Sequence, residues 1–410
     1  MSDLIHSQSA FKPRYIPYLG DTDWLQIDRA QSLDPDGDFP REKLEELGTD
    51  GILGWSPDVP VIGCRLVQRE YGSFDFWKAL ANKNSGTSID LNDFGKSAGD
   101  INAYITDPDG NFVSTLWYPK QRVTGFSIAI GDPTALVDRN FEFTGEDAIH
   151  LQDDNKYLIF KKKTVQSGDL GSGNLVNITV SAPVAIEDPD NAGKYMFRVT
   201  RVRSSVTTEL VEGTDYSFSG GVLTVESCAI DDVIKYYYSA SAWVSSPASP
   251  FTTNVSDLNG IRANSVVLYL GSANRLYKVQ SATLDVRFDR EDAREIGSED
   301  VIARSIRDKT VSITLGKLLD TSFTMEELLR GSADGYGKID AKKFQQNLTF
   351  IMAVYSDSGH GTFKIGYKAT NLAPSSNRPG TAAIDTNVDS GVTLEGESLV
   401  IADNASEAGL

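Results

Sequence analysis

The side chains most able to do chemistry are sparse in this chain, and their spacing argues against an active site. The three histidines, His6, His150 and His360, stand in terminal or turn-like contexts. They form no HExxH, Ser/His/Asp or Cys/His arrangement of the kind that activates a water or a nucleophile. Cys64 and Cys228 are far apart and make no CxxC, so they read as two buried small side chains and not as a zinc site or a disulfide framework. Asp34, Asp36, Asp38 and Glu45 echo positions 1, 3, 5 and 12 of a calcium loop. The glycine such a loop needs at position 6 is Phe39, followed by Pro40, so a solvated acidic loop is expected instead. The GSG at 171–173 lacks a following helix and a GK[ST] tail and reads as a turn. Tyr236, Tyr237 and Tyr238 cannot line one stacking platform, because adjacent strand residues point to opposite faces. Pairs of carboxylates are uninformative among 57 acidic residues. The expectation is a non-enzymatic protein with no metal and no cofactor.

The elements that would position any site are organised as a repeat. Residues 30–80 lie on residues 279–329 without a gap, at a constant offset of 249. Phe39, Arg41, Glu42, Glu46 and Gly48 coincide with Phe288, Arg290, Glu291, Glu295 and Gly297. Outside that segment Gln31, Ser32, Asp36, Ser56, Leu66, Ser73, Phe74 and Leu80 coincide with Gln280, Ser281, Asp285, Ser305, Leu315, Ser322, Phe323 and Leu329. These 13 identities in 51 positions stand against a chance level of roughly 6%. In the second copy Thr283 and Arg287 replace two carboxylates of the calcium-like run.

Each copy reads alike. Residues 277–288 alternate so that Ala282, Leu284, Val286 and Phe288 share a face, as in a half-buried strand. The charged REK and RED stretches that follow end at glycine, which predicts a short turn or helix with a left-handed cap. A second strand follows, VIGCRLV from Val61 and TVSITLG from Thr310. Then SFDFWKALANK (73–83) and SFTMEELLRG (322–331) predict helices capped by serine. Hairpins at 103–118 and 353–367, and strand pairs over 122–143 and 391–402, close the copies. Between the copies, short β-like runs separated by Gly, Asp, Asn and Pro turns predict an inserted all-β module, immunoglobulin-like in spacing. Its return linker is 245–254. The predicted organisation is mainly β: a first domain at 1–151, an inserted module at 152–245 and a second domain at 246–410. The two copies are β-barrels or sandwiches with one helix each.

Composition agrees with a folded chain, 40% hydrophobic and 23% charged over 410 residues. A formal charge of −18 spread along the sequence opposes a phosphate-gripping groove, which needs clustered Lys and Arg. The absence of a long apolar run and of a basic flank followed by an apolar stretch leads us to expect neither membrane insertion nor export by a signal peptide.

The order of strand, FxREx3E[LI]G segment, loop, strand, helix and closing hairpins, seen twice over about 250 residues, resembles the tail-tube proteins of long-tailed bacterial and archaeal viruses. The resemblance rests on WLQIDRAQS with FPREKLEELG, and on YKVQSATLDVRFDREDAREIGSEDVIARSIRDKTVSITLGKLL. It implies a structural virion protein of the tail, assembled in the host cytoplasm. Its copies would form stacked rings through which genomic DNA passes without specific binding. For a duplicated chain it implies homotrimeric, pseudo-hexameric rings, with tape-measure, terminator and baseplate proteins as partners. It also implies inter-ring or inter-subunit contacts from the loops 49–58 and 298–308, through Thr49, Asp50, Ile52, Trp55, Asp58, Ser298, Glu299, Val301, Arg304 and Arg307. Other readings are a terminator, baseplate or decoration protein, or a carbohydrate-binding surface protein.

Overall fold

The computed structural model describes residues 11–410 apart from 18–23, 39–40, 45–53, 58–60, 84, 97, 108, 110, 146, 152–156, 187–192, 205, 245–259, 272–273, 278, 295–300, 319–346 and 382–388. The chain is mainly β and divides into two compact units that interleave along the sequence. Met1–Ile27, Ala98–Gln121 and Gly145–Ser256 form one, and Asp28–Ser97, Arg122–Thr144 and Asp257–Leu410 the other.

Alternating patterns dictate the principal sheet of the second unit. In Val61–Arg69, for example, Ile62, Cys64, Leu66 and Gln68 are buried while Arg65 is exposed, as a strand with one covered face requires. Eight antiparallel strands build this sheet: β1 (Ala30–Asp38), β2 (Val61–Arg69), β3 (Phe112–Ile130), β4 (Asp138–Gly145), β5 (Val279–Arg294), β6 (Val301–Leu318), β7 (Phe363–Thr381) and β8 (Asp389–Gly396). Their spatial order is β1-β2-β4-β3-β5-β6-β8-β7, using the later halves of β3 and β7. Phe126, Phe141, Leu284, Val286, Ile313, Leu315 and Leu394 face the core. The other face carries Asp34, Arg65, Glu142, Asp285, Arg287, Thr314 and Glu395, half-buried or exposed. A helix, α1 (Asp75–Leu80), lies under the apolar face. The ring of Trp77 is 4.8 Å from Phe126, 5.0 Å from Phe141 and 5.9 Å from Tyr367. Such edge-on aromatic pairs add to simple burial.

The duplication holds rung by rung. Adding 249 to both partners turns every β1–β2 pair, from Ala30↔Gln68 to Asp38↔Val61, into a β5–β6 pair, from Val279↔Lys317 to Arg287↔Thr310. The bulge after Ala30 recurs after Val279. Conserved placement of a bulge marks it as a designed feature of the strand. Further along the copies the offset becomes 251. Thr144↔Arg122 and Phe141↔Phe126 correspond to Glu395↔Ala373 and Val392↔Asn377, again with a matching bulge. Within the second unit, Val266–Leu270, Leu348–Tyr355, the first half of β7 and Ser398–Ala402 form another sheet. Its topology repeats that of Phe11–Pro17, Gly99–Thr106, the first half of β3 and Ile149–Leu151 in the first unit.

Several expectations change here. The REK and RED stretches are neither turns nor helices: Arg41–Leu44 pairs with Gly54–Pro57, and the second copy makes the same rungs inside β5–β6, from Arg290↔Ile306 to Ala293↔Ala303. The arm sequences REKL and REDA lack the apolar alternation that marks a strand. Asp34 and Asp36 sit on β1, not in a loop. Helix α1 is shorter than the segment predicted, with Phe74 at the cap position; Ser73 Oγ instead accepts from the Asp75 amide at 3.3 Å. The second predicted helix, 322–331, lies outside the described residues. The strands of 391–402 do not pair with each other, since β8 joins β6 and β7 while Ser398–Ala402 joins the other sheet. Among the described residues the sheets stay open and no barrel closes within the chain.

In the first unit, residues 157–240 form a four-stranded sheet (Tyr157–Thr164, Val233–Ala240, Met196–Arg203, Val206–Glu209) and a three-stranded one (Val176–Thr179, Val222–Val225, Tyr216–Ser219). They share a core of Val176, Leu223, Val225, Val199 and Ile234, a sandwich arrangement. Tyr236 and Tyr238 enter that core, and Tyr237 enters a second cluster with Trp117 and Phe160. The three tyrosines are therefore packing residues on alternate faces.

Candidate assembly interface

The eight-stranded sheet contains a junction between its two four-stranded halves and, among the described residues, ends in two edges. At the junction, Ile130 to Gly125 of β3 pair with Ala282 to Arg287 of β5. Here Gly125 is required by space, since a Cβ on it would lie 2.8 Å from the Val286 carbonyl oxygen. One outer edge is β1, whose pairs are with β2. The other is the second half of β7, whose pairs are with β8. By the repeat, β1 is the counterpart of β5 and β7 the counterpart of β3. The two outer edges are thus the same two kinds of strand that already meet in the middle.

The repeat-signature residues have structural roles where they are described. Phe288 is buried and its ring lies 5.5 Å from Phe94. Arg290 donates through Nε to the Val123 carbonyl at 2.8 Å and through Nη2 to the Phe94 carbonyl at 3.0 Å, tying the base of the β5–β6 arm to β3. Glu291 is exposed. Arg41 and Glu42 lie on the arm strand Arg41–Leu44, while Phe39, Glu46, Gly48, Glu295 and Gly297 lie outside the described residues. Of the proposed contact loops, Trp55 is on Gly54–Pro57, Val301 and Arg304 are on β6, and Arg307 is exposed on β6. Thr49, Asp50, Ile52, Asp58, Ser298 and Glu299 lie outside the described residues. The structure therefore places the described loop residues on the arms of hairpins.

Sequence reasoning missed two buried charge clusters. In the second unit Arg139 and Glu70 are fully buried, 3.5 Å apart at their closest atoms. Glu70 also accepts from the Gly72 amide and from the Tyr367 hydroxyl, both at 2.7 Å, and Arg139 donates to Gln68 Oε1 at 2.7 Å. Burial and then the charge of Glu70 push the Tyr367 phenol well above its ordinary range. In the first unit Asp100 accepts from Arg198, from the Tyr237 hydroxyl and, at 2.9 Å, from the Lys120 amide. One signal was available: Arg139 falls in phase with Phe141 and Phe143, on the apolar face of its strand.

Both cysteines are buried and unpaired with each other. Burial, and then Asp34, push the Cys64 thiol up to about 12; burial, and then Asp232, also raise Cys228. Because the thiolate is the reactive form, a chromogenic disulfide reagent is expected to label neither thiol in the native chain and both after unfolding in urea. Labelling of native protein would contradict this packing.

A scan of protein-family models and a search of curated proteins return no match. Among solved structures the chain is similar to three injection-system components. One is the tube-terminating cap of an anti-feeding prophage (13% identity, TM-score 0.29, 37% of this chain and 97% of that one). Another is a chain of the sheath–tube complex of an extracellular contractile injection system in its extended state (11%, 0.28, 35% and 92%). The third is the sheath/tube terminator of such a system (14%, 0.29, 36% and 99%).

Proposed function

We propose that the chain is a structural subunit of a viral tail tube, three copies of which close a ring that stacks with others. The observation that carries this reading is the duplicated sheet, whose internal β3–β5 junction joins the same two kinds of strand that stand open at its ends. Two unlike edges that fit each other make a head-to-tail contact, and such contacts generate rings when the rotation closes. Closure also removes the exposed strand edges that would otherwise invite aggregation. The three-chain count follows from the resemblance to duplicated tail-tube subunits.

The open face of the sheet supports a lumen. It carries Asp34, Glu142, Asp285 and Glu395 against Arg65 and Arg287, with Ser312, Thr314 and Thr393 between them, in a chain of formal charge −18. A wall of that kind repels phosphates, so duplex DNA would pass without adhering. We retain residues 152–245 as an inserted module between the copies, the tape-measure, terminator and baseplate proteins as partners, and the hairpin arms as contacts to neighbouring rings.

Electron microscopy and mass measurement of the purified 44.7 kDa chain test the reading. Annular particles of three chains, alone or in stacks with an open channel, are the expected result. Rings that never stack would favour a terminator or baseplate role. Monomers that persist at high concentration and with tail partners present would overturn the proposal.

A further inference from the structure

The internal junction gives more than the possibility of closure: it gives the register in which closure would occur. This step rests on the ring reading above. The β3–β5 pairs run from Ile130↔Ala282 to Gly125↔Arg287. The repeat relates β3 to β7 by 251 as far as Arg378, where β7 has a bulge that β3 lacks, and β5 to β1 by 249, as the pairings of β3 with β4, β7 with β8, β5 with β6 and β1 with β2 establish. Adding 251 to β3 residues Gly125 to Ser127 and subtracting 249 from the β5 residues they face converts that part of the internal junction into a pairing between β7 of one copy and β1 of the next.

We infer that the seam between copies is an antiparallel pair of β7 with the next copy's β1, in which Arg378 faces Asp36 and Ser376 faces Asp38.

Three features of the residues so paired support that register. The rung equivalent to Ser127↔Asp285 becomes Arg378 opposite Asp36, with Asp34 and Asp38 flanking the latter on β1. Opposite charges placed directly across an antiparallel pair are stabilising and like charges are not. This pair also marks the seam between copies as different from the internal one. Next, Ser376 takes the place of Gly125, where a Cβ would crowd the Val286 carbonyl. In the same register Gly37 takes the place of Val286, so the flexible residue moves to the facing strand at the position where the backbone must yield. Lastly, Pro35 lies on β1 at the place that Leu284 holds in β5. Proline belongs on strand edges because it cannot donate to a ladder, and Pro35 offers this seam one donor fewer than Leu284 offers the internal junction, where it faces Ile128. A weaker seam between copies suits a ring that must assemble from separate chains, and the same proline restrains edge pairing with other partners.

The test is a cross-link in the full chain. Directly opposed residues of an antiparallel pair have Cα atoms about 4.5–5.5 Å apart, inside the range a disulfide spans. Oxidised rings of a D36C/R378C double variant are expected to resist reducing-agent-free detergent as covalent trimers, and each single variant to fall apart. D34C/R378C, shifted by two residues, should link poorly. Charge reversal supplies a second measurement: D36R alone should raise the half-assembly concentration about tenfold, and D36R/R378D together should return it to within about threefold. Asp36 is exposed, so an unchanged urea unfolding profile separates assembly from folding. Rings that link only in the shifted pair would overturn the register and leave the ring reading standing. Unmodified chain that never forms rings would overturn both.

Discussion

Replacing Glu70 by alanine is expected to lower the stability of the second unit by about 3–5 kcal/mol, the range seen when one partner of a buried ion pair is removed. Glu70 and Arg139 are both fully buried, so neither charge has water to fall back on. Without the carboxylate, the Arg139 guanidinium keeps Gln68 Oε1 at 2.7 Å and the Ser73 carbonyl at 3.3 Å, neutral acceptors that cannot balance its charge. Two further donors, the Gly72 amide and the Tyr367 hydroxyl, lose the acceptor they now have at 2.7 Å. E70Q keeps most of the shape and should cost less, about 1–3 kcal/mol, since it removes the charge but not every hydrogen bond. The informative comparison is a double E70L/R139M variant. Apolar replacement of both partners is often neutral, so it should be more stable than E70A although it carries more substitutions. Urea unfolding at constant slope reads all three. An E70A transition within about 0.5 kcal/mol of the unmodified protein would show that the pair does not act as a unit, because only surface changes are usually that mild.

That cluster also shows which information the sequence holds and which it does not. The 51-residue repeat was visible because identities such as Phe39/Phe288 and Leu66/Leu315 survive in register, and the strand pairing then repeats at the same offset. The remainder of the duplication has the same rungs at an offset of 251 as far as Arg378, yet Phe141 corresponds to Val392 and Phe143 to Leu394. There burial has been kept and identity lost, and only the backbone reveals the match. The charged hairpin arms give no strand signal because REKL and REDA have no apolar period. Glu70 was invisible for a different reason. Its partners Arg139 and Tyr367 are 69 and 297 residues away, and a carboxylate at a strand end looks like an ordinary surface residue until the fold encloses it.

The second large effect is expected in the first unit, where Asp100→Ala should cost about 3–5 kcal/mol by the same reasoning. Asp100 is fully buried and Arg198 is 6% exposed. The carboxylate holds Arg198, the Tyr237 hydroxyl and the Lys120 amide. The Arg198 guanidinium also lies 4.7 Å from the Tyr237 ring and 5.4 Å from that of Trp117, and those two rings stack at 5.0 Å. The aromatic faces attract a cation, but by only about 0.5–2 kcal/mol, too little to replace the lost counter-charge. The effect should also be local. Asp100 belongs to a strand of the first copy, Gly99–Thr106, whereas Arg198 and Tyr237 belong to Met196–Arg203 and Val233–Ala240 of the inserted segment. Loss of the carboxylate should therefore speed hydrogen exchange in those two strands and in Gly99–Thr106, and leave the β5–β6 pair of the second unit unchanged. If the inserted segment instead folds as a free lobe on a linker, exchange in Met196–Arg203 will not respond to D100A. A buried ion pair between segments 98 residues apart has no reason to persist if the module is merely tethered. Lys235, 2% exposed, makes a second such tie by donating to the Pro17 carbonyl at 3.0 Å. Two buried cations from residues 157–240 thus reach groups of Pro17 and Asp100, which couples that segment to the folding of the rest of the first unit.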